Sequence, residues 1–265
     1  MSTRLNSLPP DNLATAKFLV AARQNWSFLN GQLGLHQPGD ITLGADNAQG
    51  FAKLLHNLQQ RYASAGKPFW AVRIWTNLVW QPAYLAIVGV HHARILPDVS
   101  AISQKIVGAD INGFVMTPTV MHTGPLDDLI NQAGADLKRF ADAMLAEART
   151  YANIKPTLAR RLLADRILGL VLQLYQEDAD YPASKARAIA DRWLAAMELT
   201  GASALEPIDG ADGHPFLILD RRTCCLDYLL NPDALCVTCP KQTDELRHRR
   251  ECETRDAIHR SAWGR

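Results

Sequence analysis

The sequence predicts a helix-rich α+β protein, and three patterns carry that prediction. Several long stretches place apolar residues at helical spacing, strand signals are fewer, and all the cysteines lie near the C-terminal end. We expect a single domain with a small antiparallel β element, followed by a cysteine-rich C-terminal segment.

Length and composition bound the class of protein. A chain of 265 residues is long for one domain and short for two full ones. A hydrophobic fraction of 48% and a charged fraction of 21% exclude a disordered or fibrous chain. The net charge is +1, from 28 basic and 27 acidic residues. No strong overall field would therefore draw the protein to nucleic acid, although a small basic face is compatible with this total.

Helical periodicity is the main secondary-structure signal. Asp46 can cap a first helix, and Pro82 is expected to kink or break a long Trp-rich apolar helix. The predicted helices are one from Asp46 with Phe51, Leu54, Leu55, Leu58 and Tyr62 on one face, and others over 68–92, from 123–125 through Met144, over 158–175 and over 184–199.

Strand signals are confined to two places. Residues 105–120 carry Asn112-Gly113 between two β-branched stretches, which predicts a hairpin with its turn at that dipeptide. A glycine-containing loop is predicted at 209–213, and Phe216 to Leu219 after it predicts a strand that leads directly into Arg221. From Lys241 the chain is charge-dense and Arg-rich, which is typical of a solvated helix or a partly disordered tail.

The sequence also predicts a location. The first residues, Met1 to Leu8, lack a basic start followed by an apolar stretch. The longest apolar run, Ala83 to Val90, is far shorter than a bilayer-spanning helix. We expect a cytoplasmic protein, with peripheral membrane association left open.

The cysteines are the most informative residues. Cys224, Cys225, Cys236 and Cys239 form one local group, Cys252 follows, and the preceding 223 residues contain none. A disulfide framework would spread cysteines through a small secreted chain, so a local group in a large chain indicates metal or redox chemistry.

The spacing of the cysteines favours some metal centres over others but does not identify one. Cys236-x2-Cys239 is the usual metal-knuckle spacing, whereas adjacent residues in a strand point to opposite faces, so the chain must bend at Cys224-Cys225. A two-iron cluster tolerates that arrangement better than one zinc ion because its irons offer separated attachment points. Structural zinc, a disulfide and four ordinary buried thiols remain as alternatives.

A family resemblance adds to this pattern. The segment from Arg221 to Cys239 has Arg-Arg-Thr, a Cys-Cys pair, ten residues and Cys-x2-Cys. It resembles the C-terminal signature of the ferric-siderophore reductases, the FhuF-like iron–sulfur family. The resemblance implies an oxidoreductase with a [2Fe–2S] cluster held by Cys224, Cys225, Cys236 and Cys239. It also implies one-electron reduction of ferric iron in a siderophore.

The resemblance also implies an organisation and a set of partners. Residues 1–240 would form the reductase domain, with the cluster-binding segment at 221–240 and a charged tail at 241–265. No Gly-x-Gly-x-x-Gly or phosphate-binding loop occurs, so no nicotinamide site is expected. A ferredoxin, flavodoxin or flavin reductase would supply the electron. Two alternative hypotheses remain. One is a non-enzymatic binding protein whose C-terminal segment is held together by zinc, and the other is an electron carrier without a chelate site.

Residues outside the cysteine group are weaker candidates. Arg221 and Arg222 could stabilise a reduced cluster or attract an anionic chelate, or they could form ordinary surface ion pairs. Cys252 is expected to be a solvent-facing thiol and only a distant alternative ligand. His91 and His92 could bind a metal, but a structural role at a helix C-terminus is favoured for this pair. His122, Trp70, Trp75 and Trp80 could line a chelate cavity, with core packing favoured for the tryptophans.

Overall fold

The computed structural model describes residues 9–177, 182–210 and 215–263. It is helix-rich with small, mostly antiparallel sheets, as the α+β prediction requires. The helices are α1 Pro10–Asn25, α2 Ala48–Arg61, α3 Gly66–Ile87, α4 Leu126–Ala148, α5 Pro156–Glu177, α6 Ala183–Ala196 and α7 Asp244–Trp263. None of the helices within these ranges is long and apolar enough to cross a membrane.

The strands form one four-stranded sheet and two hairpin-like pairs. The order in the larger sheet is β1-β5-β4-β2, and only the β1–β5 pairing in it is parallel. The small sheets pair β3 with β6 and β7 with β8, both antiparallel. The strands are β1 Gly31–Leu33, β2 Ile41–Thr42, β3 Ile95–Leu96, β4 Ile102–Val107, β5 Asp110–Met116, β6 His122–Thr123, β7 Ala204–Asp209 and β8 Pro215–Asp220.

Helix α3 lies in the middle of the core and continues through Pro82. The break that Pro82 suggested does not occur. A proline removes the backbone N–H that would bond the carbonyl four residues earlier. That carbonyl, of Leu78, instead accepts a hydrogen bond from Gln104 Nε2 of β4 at 3.0 Å. A side chain of the sheet therefore replaces the missing donor, and the helix ends only at the π-helical turn Val88–Ala93.

The predicted hairpin forms, but its turn is not at Asn112-Gly113. Strands β4 and β5 are joined at Gly108-Ala109, where Val107 pairs with Asp110 and Gly108 has a φ of 62°. Asn112-Gly113 lies inside β5, opposite a register shift between Gln104 and Ile106. Gly113 has a φ of 80° there, which is the geometry of a glycine in a β-bulge. The dipeptide thus bends a strand instead of reversing the chain.

The remaining predicted helices are confirmed with shifted ends. The apolar faces of α2, α4, α5 and α6 are buried in one continuous core with α3. Helices α4 and α6 approach closely at Gly134, where an added Cβ would lie 2.5 Å from Cβ of Ala196. The glycine that weakens the α4 pattern in sequence is therefore required by its neighbour.

The C-terminal part joins this core through β7 and β8. Strand β8 contains the predicted 216–219 stretch and ends at Asp220, next to the cysteine segment. The predicted loop 209–213 falls largely outside the described residues. The charge-rich C-terminal end forms helix α7 and not a disordered tail over the described residues. Its Arg247 is buried and forms ion pairs with Asp220 at 3.4 Å and with Asp244 at 3.1 Å, so this face of α7 is packed and not solvated.

Candidate metal centre

The chain bends directly after the adjacent cysteine pair. Leu226 adopts a left-handed conformation with a φ of 65°, which is uncommon for a residue other than glycine. Its backbone N–H lies 3.4 Å from Sγ of Cys224. A short 3₁₀ turn, Asp227–Leu229, follows. The expected bend is thus present, at the residue after the pair.

The second pair lies in a tight turn that α7 supports. The backbone N–H of Cys239 donates to the carbonyl of Cys236 at 3.0 Å. Gln242 is buried, and its Nε2 donates to the carbonyls of Cys236 at 2.9 Å and Val237 at 2.8 Å. Arg250 of α7 in turn donates to Oε1 of Gln242 at 2.6 Å. The knuckle is therefore tied to the helix that follows it.

The four thiols lie near one another, with Cys224 beside both Cys225 and Cys239, and Cys236 beside both Cys225 and Cys239. The thiol of Cys236 donates to the sulfur of Cys225, which lowers the pKa of Cys225 to about 6 and raises the pKa of Cys236. Burial raises the pKa of Cys224 to about 11, and its side chain is hydrogen-bonded to Cys239. Each of these two hydrogen bonds joins one cysteine of the adjacent dipeptide to one of the knuckle.

Four free thiols are a donor set that suits either a [2Fe–2S] cluster or one zinc ion. Within residues 9–177, 182–210 and 215–263, no group of three or more His, Cys, Asp or Glu side chains is gathered tightly enough to hold one ion. A [2Fe–2S] cluster places two thiolates on each iron, so four free thiols would fit it in number and kind. Cys239 is 1% exposed, and the other three are half-buried.

Arg221 lies against these sulfurs. Its Nη1 is 3.6 Å from Sγ of Cys236, and its Nε donates to Oδ2 of Asp165 at 3.0 Å. Burial disfavours the charge of Arg221, but the Asp165 carboxylate outweighs burial and raises the pKa of Arg221 above its ordinary value. Ser203 Oγ holds the other carboxylate oxygen at 2.7 Å. A fixed cation therefore sits beside the cysteine site.

Arg222 does not share this position. Its side chain is exposed, and its backbone carbonyl accepts a hydrogen bond from Arg161 Nη1 at 3.3 Å. The structure thus places Arg221 at the cysteines and Arg222 on the surface. Sequence reasoning missed Asp165, although a carboxylate within the apolar run 162–171 was a visible signal of a buried ion pair.

A cavity of about 400 Å³ opens beside the cysteines. It lies between α3, α5 and the cysteine segment, and Cys225 and Cys236 form part of its wall. Polar and charged groups from the two helices complete it, namely Arg73, Tyr84, Asp165, Arg166 and the nearby Arg221 and Asp227. The cavity therefore joins Cys225 and Cys236 to solvent.

A second, larger cavity of about 920 Å³ lies between β3, β6 and the start of α4. Its wall includes His122, Asp98, Asp128 and Arg139, but no cysteine. His122 thus lines a cavity, which is the role considered for it from the sequence. Among the described residues, this cavity shares no wall residue with the cavity at the thiols.

The remaining sequence candidates have structural roles. The indole N–H groups of Trp70, Trp75 and Trp80 donate to backbone carbonyls at 2.8–2.9 Å, which is how tryptophans are satisfied in a core. His91 accepts a hydrogen bond from Trp193 Nε1 at 3.0 Å, and burial lowers its pKa to about 4.

Cys252 is partly exposed, and it also has packing partners. The residue is half-buried, packs against Ile208, Phe216 and Ile218, and its Sγ lies 3.7 Å from the carbonyl of Asp209. Helix α7 places this thiol against the β7–β8 pair, so only part of it faces solvent.

Comparison with known proteins finds no family model and no solved structure that matches this chain.

Proposed function

We propose that the protein is a cytoplasmic reductase that transfers single electrons through a [2Fe–2S] cluster to ferric iron held in a siderophore. The observation that carries the proposal is that Cys225 of the adjacent dipeptide and Cys236 of the knuckle line one cavity, with Cys224 and Cys239 beside them. Four thiolates supply the ligands of two irons. The resemblance of residues 221–239 to the ferric-siderophore reductase signature supports the same centre.

In this proposal the centre transfers one electron to Fe(III) in each turnover. Oxygen-donor chelates hold the hard Fe(III) ion tightly and Fe(II) far more weakly. When bound, the cluster would supply the electron that reduces Fe(III) to Fe(II), and an external ferredoxin, flavodoxin or flavin reductase would be oxidised to replace it. No bond of the chelator is cut, so no hydrolytic or nucleophilic side chain is needed.

The residues around the thiols have defined tasks in this proposal. The backbone turn at Leu226 directs Cys224 and Cys225 towards the knuckle. Gln242 and Arg250 hold the knuckle in place. Arg221 offsets negative charge next to Cys236, which grows when an electron arrives, and it thereby favours the reduced state.

Helix α7 belongs to this functional unit in our proposal. Its contacts through Arg247 and Arg250 reach both Asp220 and the knuckle. The domain that carries the reductase activity then extends beyond residue 240, and the 244–263 helix serves as a brace for the cysteine segment.

Structural zinc is the main rival, because Cys236-x2-Cys239 also suits a zinc knuckle. One zinc ion would need all four sulfurs around a single point, and the four thiols are neighbours of one another. The resemblance of residues 221–239 to the reductase signature is what favours two irons. An electron carrier without a chelate site is the second rival, and only kinetics separates it from a reductase.

The test starts with protein purified and reconstituted without oxygen. We expect a brown protein with visible absorbance that bleaches on reduction, and loss of both in Cys236→Ser. Cys252→Ser is the matched control and should keep the full absorbance, because this thiol packs against β7 and β8. A colourless protein that holds zinc, or full absorbance in Cys236→Ser, would overturn the proposed centre.

Turnover separates a reductase from a carrier. The reduced protein is mixed with increasing amounts of ferric chelates, and Fe(II) is captured by a coloured Fe(II) ligand. A reductase gives rates that saturate and differ between chelates. A rate that stays linear with concentration and is alike for all chelates would show an electron carrier instead.

A further inference from the structure

We propose that the cavity of about 400 Å³ beside Cys225 and Cys236 is the docking site for the ferric chelate, with Arg166 as its contact residue and Gly169 as the residue that keeps it open. This inference rests on the proposed function and adds the place of binding. The iron end of an oxygen-donor chelate would enter between α3 and α5.

The position of the thiols supports this site. Cys225 and Cys236 line the cavity, while Cys239 is buried. Electron transfer slows steeply with distance, and a chelate in this cavity would lie directly against Cys225 and Cys236, two of the residues that would hold the cluster. The Cys225–Cys236 pair is then the side from which the electron leaves.

The charges of the wall leave one cation available. Arg73 is paired with Asp227 at 2.6 Å, and Arg221 is paired with Asp165. Arg166 has no ion pair in the portion of the chain that the structure describes, and its guanidinium lies 5.9 Å from the ring of Tyr84. A guanidinium offers five N–H donors in a fixed plane, which suits the oxygen atoms that surround a chelated iron.

Gly169 gives an independent sign that this space is used. It lies in the interior of α5, where glycine weakens a helix relative to alanine. An added Cβ would meet no atom within 4 Å, so packing does not require a glycine here, in contrast to Gly134. Gly169 belongs to the cavity wall, and its effect on the structure is to leave that space empty.

The size of the cavity fits part of a chelate. Small-molecule sites commonly measure about 300–1,000 Å³, and this cavity is near the lower end of that range. It would hold the iron centre and its oxygen ligands while the outer parts of the chelator stay in solvent. The larger cavity at His122 is the rival site, and it has no thiol in its wall.

Two pairs of variants test the site in the holoprotein. Gly169→Phe fills the cavity from α5, and Gly169→Ala is its control because a methyl group leaves most of the space. Arg166→Gln removes the contact charge, and Arg139→Gln is its control in the larger cavity. Iron and sulfide content, far-UV circular dichroism and thermal unfolding check that each variant retains its cluster and fold.

The binding probes are gallium(III) complexes of a trihydroxamate, of a tris-catecholate and of citrate. Gallium(III) has the charge and size of Fe(III) but accepts no electron, so binding is read by calorimetry without any reduction. We expect at least one complex to bind the unmodified protein and Gly169→Ala, and to lose binding to Gly169→Phe. Arg166→Gln should weaken it by about tenfold, the loss expected for a charge-assisted hydrogen bond.

Several results would overturn the site. These are no binding of any gallium complex, unchanged binding in Gly169→Phe and Arg166→Gln, or weakening by Arg139→Gln instead, which would move the site to the larger cavity. If Gly169→Phe fails to fold, Arg166→Gln decides alone. Failure of the proposed function is distinguishable, because it appears as absence of the iron–sulfur absorbance whatever the gallium complexes do.

Discussion

Arg221 and Asp165 form an ion pair that ties the cysteine segment to helix α5. The two side chains are 11% and 6% exposed, with 3.0 Å between Nε and Oδ2. The same guanidinium lies 3.6 Å from Sγ of Cys236. One arginine thus neutralises a buried carboxylate and faces the candidate metal ligands, which makes the pair both a structural and an electrostatic element.

Arg221→Gln is expected to destabilise the protein strongly. Removing one partner leaves Asp165 buried without its counter-charge, which typically costs about 3–5 kcal/mol. Urea unfolding followed by tryptophan fluorescence measures this loss. Arg61→Gln is the matched control, because Arg61 and Asp110 form an exposed pair whose loss should cost at most about 1 kcal/mol.

The double variant Arg221→Gln, Asp165→Asn checks the physical reason. It removes the stranded carboxylate as well as the cation, so it should recover part of the stability that Arg221→Gln loses. Equal losses in the Arg221 and Arg61 single variants would show that the buried pair has no special role.

Gln242→Leu should loosen the cysteine knuckle. The change removes the donors to the carbonyls of Cys236 and Val237 and leaves Nη1 of Arg250 without its acceptor. Buried groups left unpaired cost about 1–3 kcal/mol each, so we expect lower unfolding free energy and faster loss of bound metal to a chelator.

Gln132→Leu provides the comparison for that variant. Gln132 is exposed on α4, and within the described part of the chain its side chain bonds Asp136 of the same helix, so its replacement should change neither stability nor metal retention appreciably. Metal retention in Gln242→Leu equal to that in Gln132→Leu would argue against α7 as a brace.

His91 should make the fold sensitive to acid. Its pKa falls from 6.5 to about 4 on folding because of burial, with Arg94 and His92 adding to the effect. The unfolded chain therefore binds the proton more readily, and this contribution to stability is complete above pH 6.5 and is lost as pH falls towards 4. Between about pH 7.5 and pH 4.5 the loss from this group alone is about 2–3 kcal/mol.

His91→Gln isolates this effect. Glutamine cannot take up the proton but can accept the hydrogen bond from Trp193. The unfolding free energy of the variant should therefore fall less between the two pH values than that of the unmodified protein. Parallel pH profiles for the two proteins would contradict this role of His91.

The two helix-interior glycines should respond oppositely to alanine. Gly169→Ala adds a methyl group into open space and should stabilise the protein by about 0.5–1 kcal/mol. Gly134→Ala places a Cβ 2.5 Å from Cβ of Ala196, and overpacking of this kind typically costs about 1–3 kcal/mol. Thermal unfolding of both variants measures the difference, and stabilisation by both would mean that α4 and α6 separate easily.

Local sequence patterns predict much of this fold. They fail where contacts between segments that are distant in sequence override the local signal. The helical periodicity identifies α2, α4, α5 and α6 because their apolar faces are all buried. Pro82 suggested a break, but Gln104, which lies far along the chain, supplies the missing hydrogen-bond donor. Asn112-Gly113 has the chemistry of a turn, yet pairing around Gly108 leaves it in a bulge.

The candidate site also combines residues that local spacing predicts with residues that only packing brings together. Cysteine spacing predicts which four thiols come together, because those residues are close in sequence. It does not reveal Asp165 or Arg166, which reach the site from α5 through packing of distant segments. Helix α7 was missed as a brace since its charge-rich sequence hides the buried contacts of Arg247 and Arg250.

The most direct test of the central claim is the amount of iron and acid-labile sulfide per chain in protein reconstituted without oxygen. If the protein holds one [2Fe–2S] cluster, the assay should find about two irons and two sulfides per chain. One zinc ion per chain and no sulfide would contradict this claim.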